Sequence, residues 1–331
     1  MRKASITALI VGIALTLVGA AIVFFVFLGV GFDFAQLNYD FVSGSSKPYV
    51  EKTYDVNEKF DSIYIEDSSA DIYFEMATGD KAYVESYEDE DVNYDVKVKN
   101  KTLYINRKHK SDLQIFSIGI NTEQARLTVC LPKKAYDELT INTASSDITL
   151  DSKFEFESVD IDVASGDVSF GAKVSNSLDI DAASSDVSVS DCEAKNIKLH
   201  TASGEITVNG LKNCEEVDIS TASGEIDVAD TKAKSIKCSS ASGDQSYNNV
   251  VAENKFELHS GSGEIMLYGC DAKDIDINTA SGEVYAELLS KKMIVTDTAG
   301  GDVNIDYDAH GENGECNVNT ASGDITIKLS K

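Results

Sequence analysis

Ten acidic residues recur at a nearly constant spacing in the second half of the sequence. The step from one to the next is 19 or 20 residues, except for the last step, from Asp302 to Asp324, which is 22. Most of them close a short motif of the type Thr201-Ala202-Ser203-Gly204-Glu205. Carboxylates repeated in this way are candidate calcium ligands, because calcium binds about 6–8 oxygen atoms in flexible geometry. The ten residues are Asp147, Asp167, Asp186, Glu205, Glu225, Asp244, Glu264, Glu283, Asp302 and Asp324.

The motif has a second, purely structural interpretation. An acidic side chain just past a tight turn can accept hydrogen bonds from nearby backbone N–H and Ser or Thr hydroxyl groups. Calcium-binding nonapeptide repeats also combine Gly and Asp, but their period is shorter and their Gly content is higher. We therefore predict a structural role and no cofactor or metal, with calcium held between copies as the alternative.

The residues on both sides of each turn alternate between apolar and polar. Val159, Ile161 and Val163 precede one turn, and Ile206 and Val208 follow another. This alternation predicts two strands per copy, each with one buried face. A regular step of about 20 residues indicates stacked coils that bury their apolar faces against one another. The sequence predicts an all-β fold, a single-stranded parallel β-helix or β-solenoid over residues 136–331, whose consecutive coils pair in register.

Two features of the turn predict how closely the coils stack. The residue before the acid is Gly in eight copies but Ser at Ser146 and Ser185. Serine is not the usual substitute where positive φ is required, so we predict a limit on side-chain volume. A column of inward-facing threonines is predicted to hydrogen-bond along the rod axis. It comprises Thr143, Thr201, Thr221, Thr279, Thr298 and Thr320.

The N-terminus predicts a membrane anchor. The chain from Ile6 to Val30 carries no charge and is long enough to cross a bilayer as a helix, and Arg2 and Lys3 precede it. The positive-inside rule then places the N-terminus in the cytoplasm. A cleaved signal peptide is the alternative, although its apolar core is usually shorter. We predict a cytoplasmic stub and transmembrane anchor over residues 1–35, followed by a flexible linker over 36–50.

Residues 51–135 break the repeat and are predicted to form a β cap on the membrane-proximal end of the rod. The segment from Ile63 to Phe74 is predicted to be a degenerate first coil, and alternation around Asn100-Lys101 predicts a tight hairpin. The apolar segment from Lys108 to Glu123 is interpreted as a loop over the cap, or alternatively as a protruding contact segment. The final strand, from Ile325, is predicted to leave an open edge.

Composition excludes some functions and offers no catalytic motif. The chain of 331 residues has a net charge of −27, which excludes nucleic-acid binding. We predict that Cys238 and Cys316 are small core residues and that a disulfide between Cys192 and Cys214 is improbable. The four histidines are predicted to be surface residues. No nucleophile elbow or phosphate loop occurs, so we predict that the protein is not an enzyme. The remaining two cysteines are Cys130 and Cys270. The four histidines are His109, His200, His259 and His310.

The Thr-Ala-Ser-Gly-Asp/Glu turns, the preceding Leu131-Pro132 element and the N-terminal anchor resemble a bacterial family of β-strand-repeat domains of unknown function, whose members carry the label "putative adhesin". The resemblance implies an extracytoplasmic domain on the surface of a Gram-positive bacterium, and an association with cell-envelope stress systems. It transfers no catalytic residues. Three hypotheses follow: an adhesin-like protein presenting an acidic rod to cell-wall polymers or a surface protein, an accessory protein of envelope stress signalling, and a polysaccharide-active β-helix enzyme.

Overall fold

A computed structural model describes residues 48–109 and 124–330, and the regular elements in this part of the chain are 27 β-strands. The first seven are β1 (Tyr49–Val56), β2 (Ser62–Asp67), β3 (Asp71–Met76), β4 (Ala82–Asp89), β5 (Val92–Lys99), β6 (Thr102–His109) and β7 (Arg126–Leu131). Then follow β8 (Ala135–Ser145), β9 (Ile148–Leu150), β10 (Glu155–Ser165), β11 (Val168–Phe170), β12 (Lys173–Ser184), β13 (Val187–Ser190), β14 (Asn196–Ser203), β15 (Ile206–Asn209), β16 (Cys214–Ser223) and β17 (Ile226–Ala229). The last ten are β18 (Lys232–Ser242), β19 (Gln245–Asn248), β20 (Val251–Ser262), β21 (Ile265–Cys270), β22 (Asp274–Ser281), β23 (Val284–Leu288), β24 (Met293–Thr298), β25 (Val303–Ile305), β26 (Glu315–Ser322) and β27 (Ile325–Leu329).

The strands from β8 to β27 form ten coils of a parallel β-solenoid, which confirms the predicted fold class. Each coil gives one longer strand to a 13-stranded sheet and one shorter strand to a 14-stranded sheet. Neighbouring coils are in register, as in the pairing of Val168 with Val187 and of Val187 with Ile206. Because the two sheets have 13 and 14 strands, spaced about 4.8 Å apart, the rod is on the order of 60 Å long.

The core lies between the two sheets and is built from the apolar residues of the alternating pattern. Ile161 and Ile180 pair across two long strands, and both are fully buried. On the opposite sheet Val187 and Ile206 are also fully buried. Alternation places every second side chain on the same face of a strand, so each coil shields the apolar face of its neighbours.

In the eight copies that carry glycine before the turn acid, close stacking leaves no space for a side chain, and in most of them φ is also positive. A Cβ added at Gly224 would lie 1.9 Å from the backbone oxygen of Gly204 in the next coil. The predicted limit on side-chain volume is therefore confirmed. Positive φ, which the Ser substitutions had argued against, also occurs in several copies, such as 149° at Gly204 and 143° at Gly243. Gly224 has no positive φ, so stacking alone excludes a side chain there.

The predicted ladder of threonine hydroxyls along the rod axis does not form. Thr143 Oγ1 lies 2.6 Å from Ser146 Oγ in the same turn, and Thr201 Oγ1 donates to the backbone oxygen of Ser185 at 3.3 Å. These bonds tie Thr143 and Thr201 to the turns and not to the neighbouring threonines. Ser240 and Ser260 continue the same column, since Ser240 pairs with Thr221 and with Ser260. In the described residues, five hydroxyls of the column have no protein partner: Thr221, Ser240, Ser260, Thr279 and Thr320.

The coils do not stack in chain order at the C-terminal end, which corrects two predictions. The last coil, β26 and β27, lies between the coil of β22 and β23 and the layer of β24 and β25. Consecutive pairing therefore fails here, and the final strand is not an edge. The free edges belong to β24 and β25, which we call the distal layer. Either order leaves one coil with a free flank. In this order the inward residues Val318 and Ile327 of the last coil are fully buried, whereas Val303 of the distal layer is exposed.

The layers at the N-terminal end also stack in an order that differs from their order in the chain. The layer of β2 and β3 lies between β6 and β7 on one side and β8 and β9 on the other. The hairpin predicted at Asn100-Lys101 is confirmed, since β5 and β6 are antiparallel and both turn residues have positive φ. The edge strands at this end are β1 and β5.

The predicted anchor from Ile6 to Val30 lies outside the described residues. So do the linker up to residue 47 and most of the apolar segment, residues 110–123. Within residues 48–109 and 124–330, no helix has the length and apolar character needed to cross a membrane.

Candidate functional site

The structure brings the ten predicted acidic residues together in one column at the turns. Strand pairs on either side of the turn, such as Ser165 with Ser184 and Val168 with Val187, place Asp167 directly beside Asp186. All ten side chains are exposed. Because of the inserted coil, the spatial order at the distal end is Glu283, Asp324, Asp302. We call these ten residues the acidic column.

The aspartates of the column accept hydrogen bonds from the next coil along the rod. The backbone N–H of Asp167 donates to Asp147 Oδ1 at 2.9 Å, and that of Glu205 donates to Asp186 Oδ1 at 2.8 Å. In the described part of the chain, every carboxylate accepting this bond is an Asp and none is a Glu. Glu205 accepts instead from Thr207 Oγ1 at 2.9 Å. The other bonds of this kind join Asp71 to Asp147, Asp167 to Asp186, Asp244 to Glu264, and Asp324 to Asp302.

Asp71 extends the column into the N-terminal layer, and sequence analysis did not include it among the candidates. Its Oδ1 accepts the backbone N–H of Asp147 at 3.1 Å. Asp71 is buried, and this burial raises the pKa of its carboxyl. The signal that could have found it is the turn Ser68-Ser69-Ala70-Asp71 in the degenerate coil, which has the same order of small residues and acid as the later turns.

The column is a ladder in which aspartate carboxylates accept hydrogen bonds from backbone N–H groups of the next coil. Each backbone N–H donates a hydrogen bond to one oxygen of the carboxylate and so holds the side chain along the rod axis. In residues 48–109 and 124–330, no three or more His, Cys, Asp or Glu side chains converge closely enough to hold one metal ion. Calcium between coils stays a prediction about these ten residues.

A second acidic cluster lies on the outer face of the long-stranded sheet. Asp160 pairs with Asp179, and Asp162 pairs with Asp181, so four carboxylates form a square on two adjacent strands. Burial, together with the charges of Asp160, Asp181 and Asp179, raises the pKa of Asp162 to about 6. His200 lies on the next strand, with its Nδ1 3.2 Å from Asp181 Oδ1. This close contact with the Asp181 carboxylate raises the pKa of His200 despite its burial.

The described histidines each lie against a carboxylate, so the prediction of plain surface residues holds only for His310. His259 Nε2 is 2.7 Å from Glu257 Oε1, and the His259 side chain is only 18% exposed. Burial alone would raise the pKa of Glu257, but hydrogen bonds from Lys255 and His259 lower it to about 2. His310 is 85% exposed beside Asp308. The side chain of His109 lies outside the described part of the structure.

All six cysteines are buried free thiols. The core positions predicted for Cys238 and Cys316 are confirmed, since both are fully buried. No disulfide joins Cys192 to Cys214, although they are close enough that Cys192 contributes to the raised pKa of Cys214, about 12, after the larger effect of burial. Thiols with such raised pKa values are poor nucleophiles at neutral pH.

A buried ionic network holds the first turn of the solenoid. Tyr94 Oη donates to Asp67 Oδ2 at 2.6 Å, and Asp67 Oδ1 accepts backbone N–H groups of the turn, including that of Ala70 at 2.9 Å. Arg107 reaches Glu88 at 2.8 Å, with both side chains nearly buried. Burial raises the pKa of Glu88, with the neighbouring Arg107 opposing that effect. The network fixes the turn before Asp71, the residue that extends the acidic column.

A parallel solenoid with short turns belongs to the class of repeat proteins in which each coil contacts only its neighbours. Within this class the sequence matches the family model described as Toastrack DUF4097 over residues 60–232 and 211–331. The chain therefore belongs to the Toastrack DUF4097 family, which confirms the predicted resemblance. No curated protein matches the chain.

Several solved structures resemble the fold at low sequence identity. One, titled a putative adhesin of Parabacteroides distasonis, is 19% identical and covers 73% of this chain and 97% of its own, with a TM-score of 0.49. Another, titled a putative lipid binding protein of the same species, is also 19% identical and covers 72% and 95%, with a TM-score of 0.46. A putative adhesin of Bacteroides fragilis is 12% identical and covers 86% and 98%, with a TM-score of 0.42.

Proposed function

We propose that the protein is a membrane-anchored, extracytoplasmic, adhesin-like interaction protein that presents a rigid acidic solenoid to cell-wall polymers or to a surface protein. The observation that carries the proposal is the acidic column, in which ten exposed carboxylates are held at a fixed spacing of about 4.8 Å. A rigid array loses little conformational entropy when it binds, so many weak ionic contacts can add up. The protein is proposed to act by binding and not by catalysis.

The proposed location rests on the sequence. The charge-free segment from Ile6 to Val30 has the length of a transmembrane helix, and the basic residues before it favour a cytoplasmic N-terminus. The first described strand, β1, starts at Tyr49 and forms the edge of the short-stranded sheet at the N-terminal end of the rod. In the proposed arrangement this end faces the membrane, and the distal layer points away from it.

The experiment uses the glutamates of the column, because they contribute charge without forming the bonds between coils. The full-length chain in detergent micelles is mixed with isolated Gram-positive cell-wall sacculi, and the bound fraction is measured by co-sedimentation. Replacing Glu205, Glu225, Glu264 and Glu283 with glutamine should reduce binding at least tenfold while leaving the unfolding midpoint unchanged.

A matched control changes four exposed glutamates elsewhere on the rod. The residues Glu155, Glu193, Glu215 and Glu253 are exposed and lie outside the column. Their replacement with glutamine makes the same change in net charge and should leave most of the binding intact. Equal binding by the wild type and both variants would exclude the column as the binding surface. Release of new reducing ends from the sacculi would favour the polysaccharide-active enzyme instead.

A second candidate role is that of an accessory protein in envelope stress signalling. The position of β1 supports it, because this edge strand begins at the end of the predicted linker and contacts the N-terminal layers through β4. A change in the rod could reach the anchor through this strand. Deleting residues 136–331 while keeping the anchor and the preceding residues should then abolish binding to sacculi but retain signalling.

A further inference from the structure

The distal layer exposes part of the apolar core. Val303 is 43% exposed, whereas Ile325, its partner in the neighbouring coil, is fully buried. On β24, Met293 and Val295 are 49% and 46% exposed, and their pairing with Glu315 and Asn317 places them on the outer face of the sheet. Three of the five exposed large apolar side chains in the described residues thus belong to this one layer.

The backbone of β25 offers unpaired hydrogen-bonding groups on its outer side. Ile325 N–H donates to the oxygen of Asp302 at 2.9 Å, and Asp306 N–H donates to the oxygen of Ile327 at 3.0 Å. Residues 302, 304 and 306 therefore point their backbone groups towards β27. Because neighbouring residues of a strand point in opposite directions, the N–H and C=O groups of Val303 and Ile305 point away from the sheet.

The other strand of the distal layer is partly covered by its own chain. Ile294 N–H donates to the oxygen of Ala309 at 3.0 Å, and Met293 forms an isolated bridge with His310. In the described residues, β25 has no comparable cover and is the last strand of its sheet. The more accessible edge is therefore β25.

The side chains along this edge alternate in a way that specifies a partner. In Asp302-Val303-Asn304-Ile305-Asp306, the two apolar residues face the open end of the core and the two acids face outward. A strand added beside β25 would place alternate side chains next to these two rows. The matching sequence is apolar where it meets Val303 and Ile305 and basic where it meets Asp302 and Asp306.

We propose that the β25 edge binds an extended segment of a partner protein in which apolar and basic residues alternate, added as the next strand of the sheet. Exposed edges are usually protected by lysine or proline, and the edge strand β5 at the other end carries Lys97 and Lys99. β25 has neither residue. A second copy of the same edge is disfavoured, because it would place acidic rows against each other.

The experiment measures binding of a fluorescein-labelled peptide of eight alternating valine and lysine residues to the full-length chain in detergent micelles. We expect saturable binding at one peptide per chain, weakened by added salt. The matched control peptide is N-methylated at alternate amides on the pairing side, which keeps its charge but removes its strand hydrogen bonds. It should bind at least tenfold more weakly.

Two protein variants locate the site. Val303→Pro removes an outward N–H without removing a bond to β27, and proline is tolerated on an edge strand, so affinity should fall about tenfold with the fold intact. Glu225→Gln, in the middle of the rod, should have no effect. Equal binding of both peptides, or no effect of Val303→Pro, would overturn the proposal and leave only non-specific charge attraction.

Sedimentation of the chain without peptide provides a further outcome. Self-association that is lost in Val303→Pro would identify a second copy as the occupant and overturn the proposed basic partner. The quadruple glutamine variant described above retains the β25 edge and should bind the peptide like the wild type. Failure of this proposal can therefore be distinguished from failure of the proposed function.

Discussion

The length of the side chain after each turn decides whether that side chain links two coils. In the described residues, the bond to the next backbone N–H is accepted by aspartates such as Asp147 and Asp186 and by no glutamate. The extra methylene of glutamate carries its carboxylate past that N–H, so it reaches Thr207 or solvent instead. The column thus contains two kinds of acid: one that supports the backbone and one that supplies charge alone.

Removing one aspartate of the column should therefore destabilise the protein, whereas removing one glutamate should not. Asp167→Ala leaves the N–H of Asp186 without its acceptor and should cost about 1 kcal/mol in the free energy of unfolding. Asp167→Asn keeps an acceptor oxygen and should recover most of that loss. Chemical denaturation measures both, with Glu225→Ala as the control. An equal loss in the glutamate variant would contradict the distinction.

The acidic cluster on the long-stranded sheet should make the protein more stable on mild acidification. The folded state raises the pKa of Asp162 to about 6, so it binds the proton more tightly than the unfolded chain, whose value is near 3.8. The resulting stabilisation is fully present below about pH 4 and is lost as the pH rises through 6. The groups facing Asp162 are Asp160, Asp179 and Asp181, and His200 on the next strand has a raised pKa that acts in the same direction.

Thermal unfolding between pH 7 and 5 tests this effect, with an increase in the midpoint expected as the pH falls. Asp162→Asn should raise the midpoint at pH 7 and reduce its dependence on pH. Lowered pKa values, such as that of Glu257, act only at lower pH and do not interfere in this window. A midpoint that falls steadily from pH 7 to 5 would show that repulsion among these carboxylates does not destabilise the folded state.

Calcium is tested by the same measurement. We expect the unfolding midpoint to be the same with calcium and with a chelator, because the column forms hydrogen bonds to the backbone and its acids do not converge on one point. A midpoint raised by calcium, and lost again in Asp167→Asn, would instead establish ion binding between coils.

At the scale of the single coil, the turn is the element with the least tolerance for change. Each strand needs only an apolar residue of suitable size facing inward, as shown by the varied core residues Ile161, Cys238 and Tyr247. The turn, in contrast, stacks backbone on backbone. Gly224 lies so close to Gly204 that a methyl group would overlap its carbonyl oxygen.

Gly224→Ala should therefore cost about 3 kcal/mol, since relieving the overlap requires a shift of two coils. Gly300→Ala is the matched control, because an added Cβ there meets no atom within 4 Å. Chemical denaturation compares the two variants. Similar stability of both would mean that the stack opens at little cost and that the close approach does not limit the turn.

On the scale of the whole molecule, the interleaved coils lock the distal end. Lys292 is 2% exposed and crosses the inserted coil. Its Nζ lies 2.6 Å from Asp271 Oδ1 and donates to the oxygens of Ala272 at 2.5 Å and Asn313 at 2.6 Å. One buried side chain thus joins three layers whose order in the stack differs from their order in the sequence. Without such a contact, the last coil could be displaced from between its neighbours.

Lys292→Met should release this end without unfolding the rest of the rod. Removing one partner of a buried ion pair typically costs about 3–5 kcal/mol, and here the loss is confined to the distal layers. Hydrogen exchange should become faster over residues 289–329 and remain unchanged over 140–250. Lys291→Met, which removes an exposed neighbouring lysine, is the control. Uniformly faster exchange along the chain would contradict a local lock.

The sequence by itself determined the coil, its period, the inward residues such as Ile161 and Ile206, and the position of the acidic column, because strand alternation and turn chemistry are local properties of the chain. It did not determine the order of the coils at either end, since nearly identical coils offer equivalent edges and their local sequence does not say which edge pairs with which. Only the tertiary structure decided that order, through contacts between coils such as the reach of Lys292 across the last coil. The same insertion made β25 a free edge and so moved the candidate docking strand from the end of the chain to Val303–Ile305.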